Sequence, residues 1–332
     1  MKKILFLIIL SLLSILSESI GELEENNSIS KLISMVRIEI IDKSLQDLPR
    51  KEEVNFLQMV NKMVNAKKEY SFNEVESAYL VFKWISQNID IIFFNEDLDE
   101  PINAYNSGKG TSKALSSLFN NFCTYLKVKS NSISGYLKWR NLNDCEIQNK
   151  GNYTWNYIEI KGEYYLLDVS MASDLKSSYN DILYFYFGTD PEIFIRSHFP
   201  NENKWQLLPE QYTFEKFENM TLLHPFFYLL GFKTISPDTD KIIGNGTIIL
   251  ASDKSFPNLS SSINCKGKYI NHSVYTIFVD GSNLVRKMTI NYNFYENENK
   301  CLIYEVYVNN TNSFVPIAFY NRNDTQNYSF GL

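Results

Sequence analysis

The chain has 332 residues, an apolar fraction of 44%, an aromatic fraction of 15% and a formal net charge of −6. That is enough apolar material for about two packed cores at roughly 150 residues each, which excludes a wholly disordered chain. The acidic balance, with no run of Lys and Arg interleaved with aromatics, leaves no electrostatic footprint for nucleic acid.

Met1-Lys2-Lys3 is a short basic stretch, and Ile4 to Leu16 is an apolar run of signal-peptide length, short for a membrane span. Small residues at Ser17, Ser19 and Gly21 offer cleavage after Ser19 or Gly21; an uncleaved anchor is the alternative. Residues 1–19 are thus read as a signal peptide and the protein as secreted. Four cysteines remain, Cys123, Cys145, Cys265 and Cys301, and an even number in a secretory chain favours disulfides. None has Cys-x-x-Cys spacing, and the only histidines are His198, His224 and His272, so neither a metal site nor any other cofactor is expected. Asn-x-Ser/Thr sequons start at Asn26, Asn152, Asn219, Asn245, Asn258, Asn271, Asn309, Asn323 and Asn327, most of them in the second half.

Residues 20–70 read as a lead-in, polar at first and then helical. Phe56, Leu57, Val60, Met63 and Val64 recur at helical spacing, as do Val75, Ala78, Tyr79, Phe82 and Ile85. Ser71 with Glu74 fits a capping box for the second of these helices. Residues 90–108 read as a loop. A third helix runs from about Lys113 to Leu126, with Leu115, Leu118, Phe119, Phe122 and Leu126 on its apolar face and Cys123 beside it. Ser132 to Leu137 is a short strand. Tyr153–Ile160 and Glu163–Met171 form a hairpin about Lys161-Gly162, so residues 71–210 make an α+β domain. After about Leu208 the spacing changes. Gly246–Ser252, Ser260–Cys265, Val274–Val279, Val285–Tyr295, Cys301–Val308 and Phe314–Tyr320 are short strands between Asn, Gly, Pro and Ser, which suggests a β-sandwich over 211–332. No tryptophan follows Trp205, so the disulfide-plus-tryptophan core of antibody domains is missing.

Cysteine-type acyl transfer needs a thiolate at a helix N-terminus, a histidine to accept its proton, and a carboxylate to orient that histidine. The chain has the layout. Gly108-Lys109-Gly110-Thr111-Ser112 leads into the third helix, Tyr153-Thr154-Trp155-Asn156 lies on one hairpin strand, and Leu166-Leu167-Asp168-Val169-Ser170 lies on the other.

In this order and spacing the three segments resemble the transglutaminase-like (papain-related) superfamily, especially its kyphoscoliosis-peptidase branch. That branch reads Lys-x-Gly-[Val/Thr]-Cys, then His-Ala-Trp-Asn, then Leu-[Ile/Leu]-Asp-[Val/Thr]-Thr-Trp. Here Gly110-Thr111 match, with the lysine displaced by one. Phe187-Gly188-Thr189-Asp190-Pro191-Glu192 with Phe194-Ile195, His198-Phe199-Pro200, and Trp205-Gln206-Leu207-Leu208 resemble the stretch after the catalytic strands. Phe82-Lys83-Trp84-Ile85 with Asn88-Ile89 resembles the region before the cysteine. The resemblance covers most of 70–210 and continues more weakly through Pro225-Phe226-Phe227 into an appended Ig-like domain.

The resemblance implies a catalytic triad that is degenerate at two of its three positions. Ser112 stands where the family has its nucleophilic Cys, Tyr153 where it has His, and Asp168 alone matches. Ser112 reads as a helix N-cap, with a serine nucleophile as the alternative; tyrosine, titrating near 10, is a poor acceptor for its proton. Cys123 lies about three turns along the helix and reads as a buried thiol or disulfide partner. His198 reads as structural. Asp168 is placed to accept a hydrogen bond from the Tyr153 hydroxyl. The expected disulfide is Cys265–Cys301, closing a loop of about 37 residues and worth roughly 4 kcal/mol, with Cys123–Cys145 a second guess. The expected role is a non-enzymatic secreted module for a protein or peptide partner; the alternative is an active extracellular cysteine-type peptidase or transglutaminase with a rearranged site.

Overall fold

The computed structural model describes residues 29–49, 53–93, 98–140, 147–174, 181–242, 245–252, 261–265, 268–269, 273–278, 286–293, 301–308 and 313–322. Three helices open it: α1 (Ile38–Gln46), α2 (Phe56–Glu69) and α3 (Glu74–Asn88). The α3 capping box lies two residues beyond the Ser71–Glu74 pair. Asn73 accepts the Glu76 N–H at 2.9 Å, and Glu76 accepts the Asn73 N–H at 3.0 Å. Ser71 sits at φ 52°, in the left-handed region, whereas an N-cap needs extended backbone. From Val75 to Ser86 every residue of α3 is buried, so this helix is central rather than amphipathic. Its two buried charges are met from the α1 segment. Arg37 binds both Glu76 oxygens, and Lys83 Nζ lies 2.5 Å from Asp42 Oδ1. Burial alone would raise the Glu76 pKa; the hydrogen bonds from Arg37 and Asn73 hold it below the usual carboxylate range.

Next, α4 (Pro101–Ser107) ends on Gly108 at φ 73°, a left-handed C-cap that suits glycine. The short strands β1 (Asp90–Ile91) and β2 (Lys109–Gly110) pair in parallel ahead of α5 (Ser112–Tyr125). A Cβ at Gly110 would lie 2.6 Å from Ala104 Cβ, so only glycine lets the chain enter α5 this close to α4.

Beside α5 lies a five-stranded antiparallel sheet, β6-β5-β4-β3-β7. Its strands are β3 (Lys129–Arg140), β4 (Ile147–Ile160), β5 (Glu163–Leu167), β6 (Phe187–Thr189) and β7 (His198–Pro200). The β4–β5 hairpin turns at Lys161-Gly162, as the turn chemistry predicts. The second strand stops at Leu167 instead of reaching Met171, because Asp168 caps the helix α6 (Val169–Asp174). The Gly135 position admits β7: a Cβ there would meet the Phe199 carbonyl oxygen at 2.1 Å.

Past α7 (Asp181–Phe185), α8 (Pro191–Phe194), α9 (Phe214–Asn219) and α10 (Pro225–Leu229), the chain becomes strands. One antiparallel sheet runs β14-β15-β11-β9; the other runs β10-β17-β16-β12-β13 with β8 also on β17, and is antiparallel apart from the parallel β10–β17 pair. They comprise β8 (Leu222–Leu223), β9 (Phe232–Ser236), β10 (Lys241–Ile242), β11 (Asn245–Ser252), β12 (Ser261–Cys265), β13 (Lys268–Tyr269), β14 (Ser273–Phe278), β15 (Arg286–Asn293), β16 (Cys301–Val308) and β17 (Ser313–Arg322). Each of the six expected C-terminal strands has its counterpart here; β8, β9, β10 and β13, of two to five residues, are additional. The fold is thus mixed helix and antiparallel sheet, as α+β requires. Leu223, Phe227, Ile248, Ile317 and Tyr320 belong to the same buried cluster as Tyr79, Phe119 and Phe187, so among the described residues one apolar cluster reaches from α3 to β17. Cys265 and Cys301 fall on the neighbouring strands β12 and β16, but their side chains, like Cys145, lie outside the described residues. Cys123 is a free thiol, fully buried, so the Cys123–Cys145 bridge is not formed.

Lys138 on β3 is 2% exposed and ends against the C-terminus of α9. Its three N–H donors go to the carbonyls of Phe217, Glu218 (3.0 Å) and Met220 (2.8 Å), which match an ammonium donor for donor. Burial pulls its pKa down to about 8 from 10.5. The folded state therefore releases the proton first, and the unfolded chain holds more protons between those two values. We predict that wild type gains stability relative to Lys138→Met as pH rises from about 8 to 10.5, measured by urea unfolding; a gap that narrows over that range would contradict the assignment. Gly135→Ala is expected to cost at least the overpacking range of about 1–3 kcal/mol, because a backbone oxygen, not a flexible side chain, stands in the way. An unchanged melting temperature would show that β7 does not need this glycine.

Candidate functional site

The site forms where β4 and β5 part. Beyond the Asn156–Leu167 pair, β5 gives way to Asp168, and the head of α5 comes beside β4. The α5 N-cap is Thr111, not Ser112: its Oγ1 accepts the Ala114 N–H at 3.3 Å and donates to Asp99 Oδ1 at 2.5 Å. Ser112 is the first helical residue, 7% exposed, and its Oγ accepts the Thr154 N–H at 3.2 Å. Among the described residues no side chain reaches hydrogen-bonding distance of Ser112 Oγ. Farther along α5, Asn156 Nδ2 donates to the Ser116 carbonyl and to Asn120 Oδ1, each at 3.0 Å. The Trp155-Asn156 pair thereby ties β4 to the helix.

Asp168 is fully buried and its carboxylate is saturated. Oδ1 caps α6, accepting the N–H of Ser170 at 2.8 Å and of Met171 at 3.1 Å. Oδ2 accepts the Tyr153 hydroxyl at 3.0 Å and lies 2.9 Å from His198 Nε2. A carboxylate only accepts, so Nε2 carries a proton, and Nδ1 lies 2.8 Å from the Ser197 hydroxyl oxygen. The imidazole is 1% exposed. It stacks on Phe194 at 4.0 Å and meets the Trp155 edge at 5.2 Å.

Tyr153, at the position that resembles the family's histidine, keeps its proton. Burial, then the Asp168 charge and the hydrogen bond to it, push the phenol well above 10. Burial and the same charge also raise the Asp174 carboxyl. Cys123 is no substitute nucleophile, since burial raises its thiol to about 12.

The structure thus brings Tyr153 and Asp168 into direct contact and sets Ser112 one residue away, on the backbone of Thr154. His198, which the sequence places only in the stretch after the triad, joins the same carboxylate. No periodicity signals a contact across 30 residues. Among the described residues no group of three or more His, Cys, Asp or Glu could hold a metal ion, and no helix is long and apolar enough to cross a membrane.

Tyr153→Phe removes one of four hydrogen bonds to Asp168 and should cost about 1–2 kcal/mol in urea unfolding. Asp168→Ala removes the acceptor of all four and should cost about 3–5 kcal/mol. Equal small losses would deny Asp168 its central place.

No family model matches the chain. Among curated proteins it is 24% identical to Hillarin of Drosophila melanogaster over 216 residues, 59% of this chain and 26% of that protein. It is 25% identical to Kyphoscoliosis peptidase of Mus musculus over 212 residues, 60% of this chain and 32% of that protein. Lim and transglutaminase domain protein ltd-1 of Caenorhabditis elegans is 24% identical over 210 residues, 57% of this chain and 28% of that protein. The chain spans less than a third of the length of these relatives. Motif order and similarity together make this chain a relative of the transglutaminase-like proteins, the kyphoscoliosis peptidases among them.

Proposed function

We propose that the protein is a secreted, catalytically inactive transglutaminase-like module that binds a protein or peptide partner. The observation that carries the reading is the Tyr153–Asp168 hydrogen bond. The group in the place of the base is itself a proton donor to the carboxylate that would have oriented that base. A hydroxyl nucleophile needs an acceptor for its proton, and a phenol held well above 10 does not take it at neutral pH. Secretion is supported by the basic-then-apolar first 19 residues and by the sequons. We further read the two C-terminal sheets as an Ig-like β-sandwich, residues 211–332, following a transglutaminase-like domain, residues 71–210, with the Cys265–Cys301 disulfide inside it.

One observation favours the alternative, a working enzyme: His198 and Asp168 form a histidine–carboxylate pair in the same site. Against it, both imidazole nitrogens are engaged and the ring is enclosed by Phe194 and Trp155.

Purified wild-type protein should neither incorporate a fluorescent amine into a glutamine peptide nor cleave an unfolded protein, and Ser112→Ala should match it. Loss of a nucleophile or its base removes several powers of ten in rate, and the members act as a unit. Turnover by wild type that Ser112→Ala abolishes would establish a serine enzyme instead.

A further inference from the structure

The rim of the site carries a residue that the degenerate triad leaves unused. Between the pairs Gly135–Tyr153 and Leu137–Lys150 the β3–β4 register shifts. Two residues of β4, Gly151 and Asn152, there oppose the single Tyr136, which is a β-bulge. Asn152 has φ 60°, in the left-handed region, where asparagine is among the few tolerated non-glycine residues. The bulge breaks the alternation of the strand. Gly151 and Asn152 are exposed, while Tyr153 and Thr154 are buried.

Asn152-Tyr153-Thr154 is also a sequon. We propose that Asn152 carries an N-linked glycan at the rim of the former catalytic site. The proposal rests on the secretion reading above. In the transfer, Asn152 Nδ2 forms a bond to C1 of the first sugar of a lipid-linked oligosaccharide diphosphate. The C1–O bond breaks, the lipid diphosphate leaves with the electron pair, and the amide gives up one proton. Thr154 is buried with its N–H on Ser112 Oγ, so the transfer precedes closure of β4 against α5. The sugar remains compatible with the finished fold because Asn152 points out of it.

The test is to secrete the full chain from eukaryotic cells, release glycans with peptide N-glycanase in ¹⁸O water, and map the peptides. The expected result is conversion of Asn152 to ¹⁸O-labelled Asp. Asn152→Asp, which keeps a residue tolerant of the left-handed region, should run lighter by one glycan. Thr154→Ser, which keeps the sequon, should run like wild type. A bare Asn152 peptide beside a glycosylated Asn219, Asn245 or Asn258 peptide would overturn this proposal and leave secretion standing. A chain retained in the cell with no glycan anywhere would overturn both.

Discussion

Asp168 spends all of its hydrogen-bonding capacity on structure. One oxygen ends β5 and starts α6 by capping it; the other gathers Tyr153 from β4 and His198 from β7. Three segments, β4, the β5–α6 junction and β7, meet at one buried carboxylate. A buried charge of this kind is tolerable only when donors surround it, and here two backbone N–H groups, a phenol and an imidazole do so. That saturation is the physical basis for reading the site as architecture. Of the two side chains that donate to this carboxylate, Tyr153 holds its own proton, and His198 has Ser197 at its other ring nitrogen with Phe194 and Trp155 about the ring.

The segment from Phe194 to Pro200 spreads the constraint outward. Phe194 stacks on His198, and His198 binds Asp168. Between them, Arg196 forms a two-pronged pair with Asp238 at 2.5 and 3.0 Å and donates to the Thr221 carbonyl at 3.1 Å. Burial alone would raise the Asp238 pKa; Arg196 holds it below the usual range. Lys138, one strand over, fastens the C-terminus of α9. The elements around the site and those leading to the C-terminal sheets therefore share charges as well as apolar core.

The site was legible where chemistry is tied to spacing. Three short segments in the right order indicated a helix head and two neighbouring strands, and their resemblance to the family motifs put Tyr153 and Asp168 near each other; that the two are hydrogen-bonded is read from the structure. What stayed hidden was local competition and long-range contact. Ser112 and Thr111 are both good caps, and one-residue precision is beyond a propensity argument; the side chain at 111 wins because Asp99 fixes its hydroxyl. Val169 to Met171 reads as strand by composition, but the Asp168 carboxylate offers the next N–H groups a cap and turns the chain into α6. His198 was read as structural without its partner, since only the antiparallel β7–β3 pairing, admitted by Gly135, carries it to Asp168.

The most direct test of the central claim, that the residue in the base's position holds its proton, is alkaline spectrophotometric titration of wild type against Tyr153→Phe, following tyrosinate absorbance. The folded state binds this proton more tightly than the unfolded chain, whose phenol titrates at 10.0, so rising pH lowers stability once above that value. The account predicts that the difference between the two proteins stays flat through pH 10 and appears only as the chain unfolds. A Tyr153 component titrating at or below 10 in the folded protein would contradict it.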